Sequence, residues 1–230
     1  MNKTWIMVAI VLMSAVTSAY FYGLMPEKIV SHWDENGTPN GYMDRFWGLA
    51  VMPLISVFLL VLLKVIPSID PKWGKVKKFG RYYENFIVIM LAFMFYIQIM
   101  SIAWNLGYAF DFTRAFLPAF AALFYYIGVV MQHAEPNWFI GIRTPWTLSS
   151  PKVWEKTHKK AAIAFKATGV LTLASIALPG TSFLIIIGLI LAASLYLVIY
   201  SYFEYQKEKG GTRNDSIGRK VQVRKMRKRR

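Results

Sequence analysis

Residues 86–107 read FIVIMLAFMFYIQIMSIAWNLG, twenty-two positions without one Asp, Glu, Lys or Arg. A hydrocarbon core about 30 Å thick needs roughly 20 consecutive apolar residues as helix. Lipid supplies no hydrogen-bond partners, so the backbone must satisfy itself within the segment. This run is therefore a membrane-spanning helix. Five others resemble it: 5–25, 46–66, 115–132, 161–178 and 182–203. The predicted fold class is all-α: a polytopic membrane protein built as a six-transmembrane-helix bundle. In 230 residues, 56% are apolar and 17% charged, against about 45–50% and about 25% in soluble domains. The first run is 21 residues long, beyond the usual signal-peptide core of about 7–15. Its Ser14, Ala15, Ser18 and Ala19 have the small-residue spacing of packed membrane helices, so it is expected to stay as a span.

Charge sets the orientation. Lys72, Lys75, Lys77, Lys78 and Arg81 crowd the connection 67–84, and Arg143, Lys152, Lys156, Lys159 and Lys160 the connection 133–160. The stretch beyond Phe203 carries eleven basic residues. Connection 26–45 has only Lys28 and Arg45, beside Glu27, Asp34, Glu35 and Asp44. Basic loops stay in the cytoplasm, so both termini are expected inside and 26–45 outside, in a multi-pass protein of the cell membrane. The net charge of +15 follows from this arrangement. The tail 204–230 is expected to lack fixed structure and to lie against anionic lipid headgroups, each cation contributing about 1 kcal/mol. No nucleic-acid partner is expected, because no folded reader module is present. The implied units are 1–66, with a shaped outer loop at 26–45; 67–203, with a cytoplasmic motif at 137–158; and the tail.

The spans are dry. Their cores hold no acidic residue, arginine or histidine; Gln98 and Asn105 are polar but uncharged, suited to helix–helix hydrogen bonds. Ion-coupled transport uses ionisable groups in the membrane, so a transporter or permease component is the runner-up reading. No HExxH or GxSxG is present, and no enzyme activity is expected. There is no cysteine. His32, Asp34 and Glu35 put three candidate metal ligands within four residues, but His133 and His158 lie on the opposite side. No metal or cofactor is expected.

Two connections are richer than a link requires. Outside, Pro26 ends the first helix, His32 and Trp33 precede the turn-forming DENGTPNG, and Gly37 and Pro39 shape the turn. An acidic, turn-defined surface suits a cationic ligand. Inside, Pro145 keeps Thr144 out of helix, and Ser150 with Pro151 starts a new one. Trp154 and His158 share a face, and Glu155 and Lys159 form an exposed pair. Trp138, Trp146 and Trp154 are expected at the headgroup level. Arg143 calls for a planar anionic partner such as Glu135, Glu155 or a lipid phosphate.

These two stretches also carry a resemblance. MPEKIVSHWDENGTPNGYMDRFWG is similar to the small domain, uncharacterised in its own right, that opens SdpI-type proteins, roughly Leu-Pro-x-x-Ile-Pro-x-His-Trp and then Gly-x-Pro-Asp. NWFIGIRTPWTLSSPKVWEKTHKKA resembles the signature of the SdpI family itself. The match falls on Pro26, Ile29, His32, Trp33, Gly37 and Pro39 outside, and on Asn137, Gly141, Arg143, Thr144, Pro145 and Trp146, then Ser150, Trp154, Lys156, Thr157 and His158, inside. Departures are Met25 for Leu, Val30 for Pro, Asn40 for Asp, and Arg45 or nothing for the usual Lys. The resemblance implies an integral membrane protein similar to immunity proteins against secreted killing peptides, some of which relay signals to a cytoplasmic regulator. It implies no catalytic residues.

Overall fold

The computed structural model describes residues 3–34, 37–72, 77–108, 110–178 and 180–227, the side chains of 77–78 and 211–227 excepted. Glu35, Asn36, Lys75 and residues 228–230, all invoked above, lie outside the described residues.

Six helices are long and apolar enough to cross a bilayer: Thr4–Leu24, Arg45–Ile69, Phe79–Asn105, Phe112–His133, Pro151–Ala177 and Ser182–Gly210. The shortest has 21 residues, about 31 Å at 1.5 Å per residue. In chain order the elements are α1 (Thr4–Phe21), strands β1 (Lys28–Trp33) and β2 (Pro39–Asp44), and α2 (Arg45–Ile69). Then come α3 (Lys77–Asn105), α4 (Phe112–His133), the short α5 (Pro145–Ser149), α6 (Pro151–Ala174) and α7 (Ser182–Arg227). Large apolar side chains such as Trp5, Val16, Leu184 and Leu191 are mostly exposed along the spans. In water this would be a liability; against lipid tails it is the expected surface.

The helices form one connected bundle. α1, α2 and α3 pack together, α3 continues onto α4, α4 crosses α6, and α6 leads to α7. The closest crossing is α4 with α6. A Cβ on Gly128 would sit 2.8 Å from the Ala162 carbonyl oxygen, and one on Gly169 would sit 2.6 Å from the Ala121 carbonyl oxygen. Glycine on each helix lets the backbones meet, the arrangement by which membrane helices gain dispersion energy without a hydrophobic driving force. Where α1 meets α3, Gln98 is buried; its amide donates to the Ser14 carbonyl (2.9 Å) and to Ser18 Oγ (2.7 Å). Ser14 Oγ donates back to Gln98 Oε1. The predicted interhelical role of Gln98 holds. Asn105 behaves differently: it joins a helix to a strand, as described below.

The main core cluster includes Met7, Phe79, Ile87, Val130, Ala161 and Leu197, and so ties five helices together. A smaller one, Met25, Ile29, Leu49 and Ile102, lies beneath the hairpin.

Two features depart from expectation. The outer loop is an antiparallel β-hairpin, in register Lys28↔Asp44, Ile29↔Met43 and Val30↔Tyr42, with an irregularity at His32. And α7 does not stop near Phe203: it remains helical to Arg227, where an unstructured tail was predicted. Good helix formers in EYQKEK add residues to a helix already nucleated in the membrane, which costs little.

Candidate functional site

The candidate residues fall into two groups at opposite ends of the bundle. At one end the chain leaves α4 and is turned back by Asn137, which is 1% exposed. Its amide donates to the carbonyls of Glu135 and Ile140, both at 2.9 Å, and its Oδ1 accepts from the amides of Phe139 (2.9 Å) and Ile140 (2.6 Å). One side chain thus satisfies a whole turn of backbone. Gly141 follows at φ +116°, a conformation that L side chains avoid. A Cβ there would lie 2.3 Å from His158 Nε2.

His158, 2% exposed, locks the turn to α6. Its Nε2 accepts from the Ile142 amide at 3.0 Å and its Nδ1 donates to the Trp154 carbonyl at 2.9 Å. Both bonds require the neutral ring with its proton on Nδ1. Trp154 stacks on that ring at 4.0 Å, and its indole donates to the Ala134 carbonyl at 2.9 Å. At 2% exposure Trp154 is core, not the headgroup residue predicted. Trp138 (45% exposed) and half-buried Trp146 remain at the surface.

Thr144 caps α5: its Oγ1 accepts from the Thr147 amide at 3.2 Å while Thr147 Oγ1 accepts from the Thr144 amide at 3.0 Å. Pro145 takes the first helical position, and Ser150 caps α6 through the Val153 amide, as predicted. Arg143 donates to the Trp138 carbonyl rather than to Glu135 or Glu155; Glu155 is held by Lys159 at 2.6 Å. One of its N–H groups closes the loop onto a carbonyl, and the side chain itself is exposed.

The partners that sequence reasoning missed come from afar. Ser201 meets Thr144 (3.0 Å), Glu204 meets Lys156 (2.6 Å) and Glu208 accepts from Ser150 (2.5 Å). Their spacing of three and four residues puts them on one face of α7, which was the available signal. Asp70 takes the Trp138 amide at 3.0 Å, and Lys72 lies over the Trp138 ring at 4.8 Å. The basic connections therefore share one end of the molecule.

At the other end, the hairpin roofs a cavity of about 470 Å³. Its turn is held by Asp34, whose Oδ1 accepts from the Thr38 amide at 2.8 Å, with Gly37 at φ +78° against Asp111. Asn105 reads Val30 as a neighbouring strand would, accepting from its amide (2.7 Å) and donating to its carbonyl (3.0 Å). His32 Nδ1 and Asn40 Oδ1 are 2.5 Å apart. Trp33 stacks on Phe112 at 3.5 Å and meets Trp104 edge-on. Its indole nitrogen is buried without a hydrogen-bond partner, a cost of about 1–3 kcal/mol.

His32, Trp33 and Asp34 line the cavity; Pro26 and Pro39 shape the hairpin around it. Below them the wall is aromatic. Phe112, Phe116 and Phe120, at intervals of four along α4, were not singled out from sequence. Among the described residues no three His, Asp or Glu side chains could hold a metal.

Comparison with known proteins fits this two-ended design. The SdpI/YfhL protein family matches residues 133–201, which hold the inner turn, α5, α6 and the first part of α7. The Domain of unknown function (DUF1648) family matches residues 9–57, which contain the hairpin. The "Immunity protein SdpI" of Bacillus subtilis (strain 168) is 26% identical over 211 residues, covering 91% of this chain and 99% of the relative. Over most of its length the chain resembles SdpI-type membrane proteins. No solved structure matches it. The matched segment 9–57 supplies the roof of the cavity and the segment 133–201 the hydrogen-bonded connector, and α4 runs between them.

Proposed function

We propose that this SdpI-type protein gives immunity to, or senses, a secreted antimicrobial peptide, binding it without catalysing a reaction. The basic end faces the cytoplasm, with its loops and tail against anionic lipid, and the hairpin faces outward. The Asn137–His158 connector is then a cytoplasmic platform on which a regulator docks. One observation carries the reading: the cavity under the hairpin and the inner connector are built on the two ends of the same helix, α4. The relative from Bacillus subtilis is an immunity protein by name, which supports immunity as the outcome.

Expression of the chain in a host sensitive to membrane-active peptides tests this. The expected result is protection that disappears when Gly141→Ala or a hairpin deletion is introduced at unchanged membrane levels. Protection against no peptide, with the wild-type chain correctly inserted, refutes it.

A further inference from the structure

We infer that the cavity beneath the hairpin is a lateral cleft that receives the apolar side chains of a non-anionic peptide segment from within the adjoining leaflet. This rests on the peptide-binding reading above, and it adds a route and a ligand chemistry.

The route follows from the walls. Met52 of α2 and Phe183 and Ile186 of α7 border the same cavity, yet α2 and α7 do not pack along one another. The floor between them is α3 and α4. Ile97 lies eight residues before the end of α3, and Phe120 eight residues after the start of α4, so the cleft reaches about 12 Å into the span at 1.5 Å per residue. Phe183, on its α7 side, is 46% exposed. A cavity with a roof, a floor and two unpacked walls is open toward lipid.

The chemistry follows from the lining. Phe112, Phe116 and Phe120 form a ladder with ring centroids 4.5 Å and 6.0 Å apart; most of the polar lining is on the roof (Ser31, His32, Asp34 and Asn40), with Thr113 at the start of α4 and Ser101 on α3. Among the described lining residues there is no lysine or arginine. A phospholipid phosphate brought here would lose water without gaining a cation, beside the Asp34 carboxylate. A peptide offers what the roof can use: amides and carbonyls for hydroxyl, imidazole and carboxamide groups. About 470 Å³ falls within the roughly 300–1,000 Å³ of ordinary ligand sites, enough for a few side chains rather than a whole helix.

The chain has no cysteine, so Ile97→Cys can carry a single bimane fluorophore on the full-length protein in nanodiscs. The probe is a synthetic 20-residue leucine–alanine peptide with one tryptophan, which quenches bimane, and two lysines at one end. Its twin carries glutamates instead, and a further arm uses lipids brominated on the acyl chain. The expected result is saturable quenching by the lysine peptide, about tenfold weaker for the glutamate twin. Binding should be lost in Ser101→Phe, which fills the cleft. Elution as a single species confirms that each variant is folded. Equal binding to the Ser101→Phe protein overturns the inference, as does brominated-lipid quenching that peptide does not relieve, which would assign the cleft to an acyl chain. Cell protection retained in Ser101→Phe refutes the cleft and leaves the immunity reading standing. Cleft binding by a chain that protects no cell does the reverse.

Discussion

The two ends of the molecule solve opposite problems. At the inner end, Asn137 and His158 use every polar atom of their side chains within the protein, and Trp154 is held on both its ring face and its nitrogen. Thr157, whose buried hydroxyl lacks a partner, is the exception. At the hairpin end, an equally aromatic cluster leaves the Trp33 N–H unmatched beside a cavity. Saturated networks make one geometry rigid; an unmatched buried donor costs stability, and the adjoining cavity leaves room for a ligand. The same residue types thus build a fixed joint at one end and a receptive surface at the other.

Substitution should expose the difference. The largest effect is expected from Trp154→Ala, which empties a packed core site and orphans the Ala134 carbonyl; about 3–5 kcal/mol of stability should be lost, measured by SDS-induced unfolding in mixed micelles. A loss below about 1 kcal/mol would show that the inner end is not a joint. Gly141→Ala comes next, at about 2–3 kcal/mol, because the new methyl meets His158 Nε2 and the backbone sits at positive φ; failure of His158→Ala to relieve part of that cost would rule out the collision. Arg143→Lys should cost less than about 1 kcal/mol, since lysine can also donate to one exposed carbonyl, and a larger loss would reinstate a two-pronged anionic partner. Smallest of all, Trp33→Phe should leave unfolding within about 0.5 kcal/mol or raise stability slightly, because it deletes an unmatched donor while keeping the stack on Phe112. Destabilisation like that of Trp154→Ala would erase the contrast between the ends.

The spans were legible because lipid imposes a length and a composition that few other environments demand. Ser150–Pro151 was legible because a cap and a fixed φ act locally. Trp154 was misread: an aromatic at a helix end looks the same in sequence whether it faces headgroups or a core. The turn was legible from its Asn, Gly and Pro residues, but the two strands were missed because segments of six residues, one opening with Pro39 and containing Gly41, show no sustained alternation. The partners Ser201, Glu204 and Glu208 lie 48 to 58 residues from the groups they satisfy, and local pattern cannot report such pairings. They also show why a boundary at residue 203 was misplaced. The helix carries on because its next turns close the inner end.

Sidedness is the claim on which both ends depend, and single cysteines decide it directly in this cysteine-free chain. Tyr42→Cys on the hairpin and Lys152→Cys at the start of α6 are both at exposed positions. In intact cells an impermeant maleimide should label position 42 and reach position 152 only after permeabilisation. Labelling of both from one side, or of position 152 alone from outside, would contradict the account.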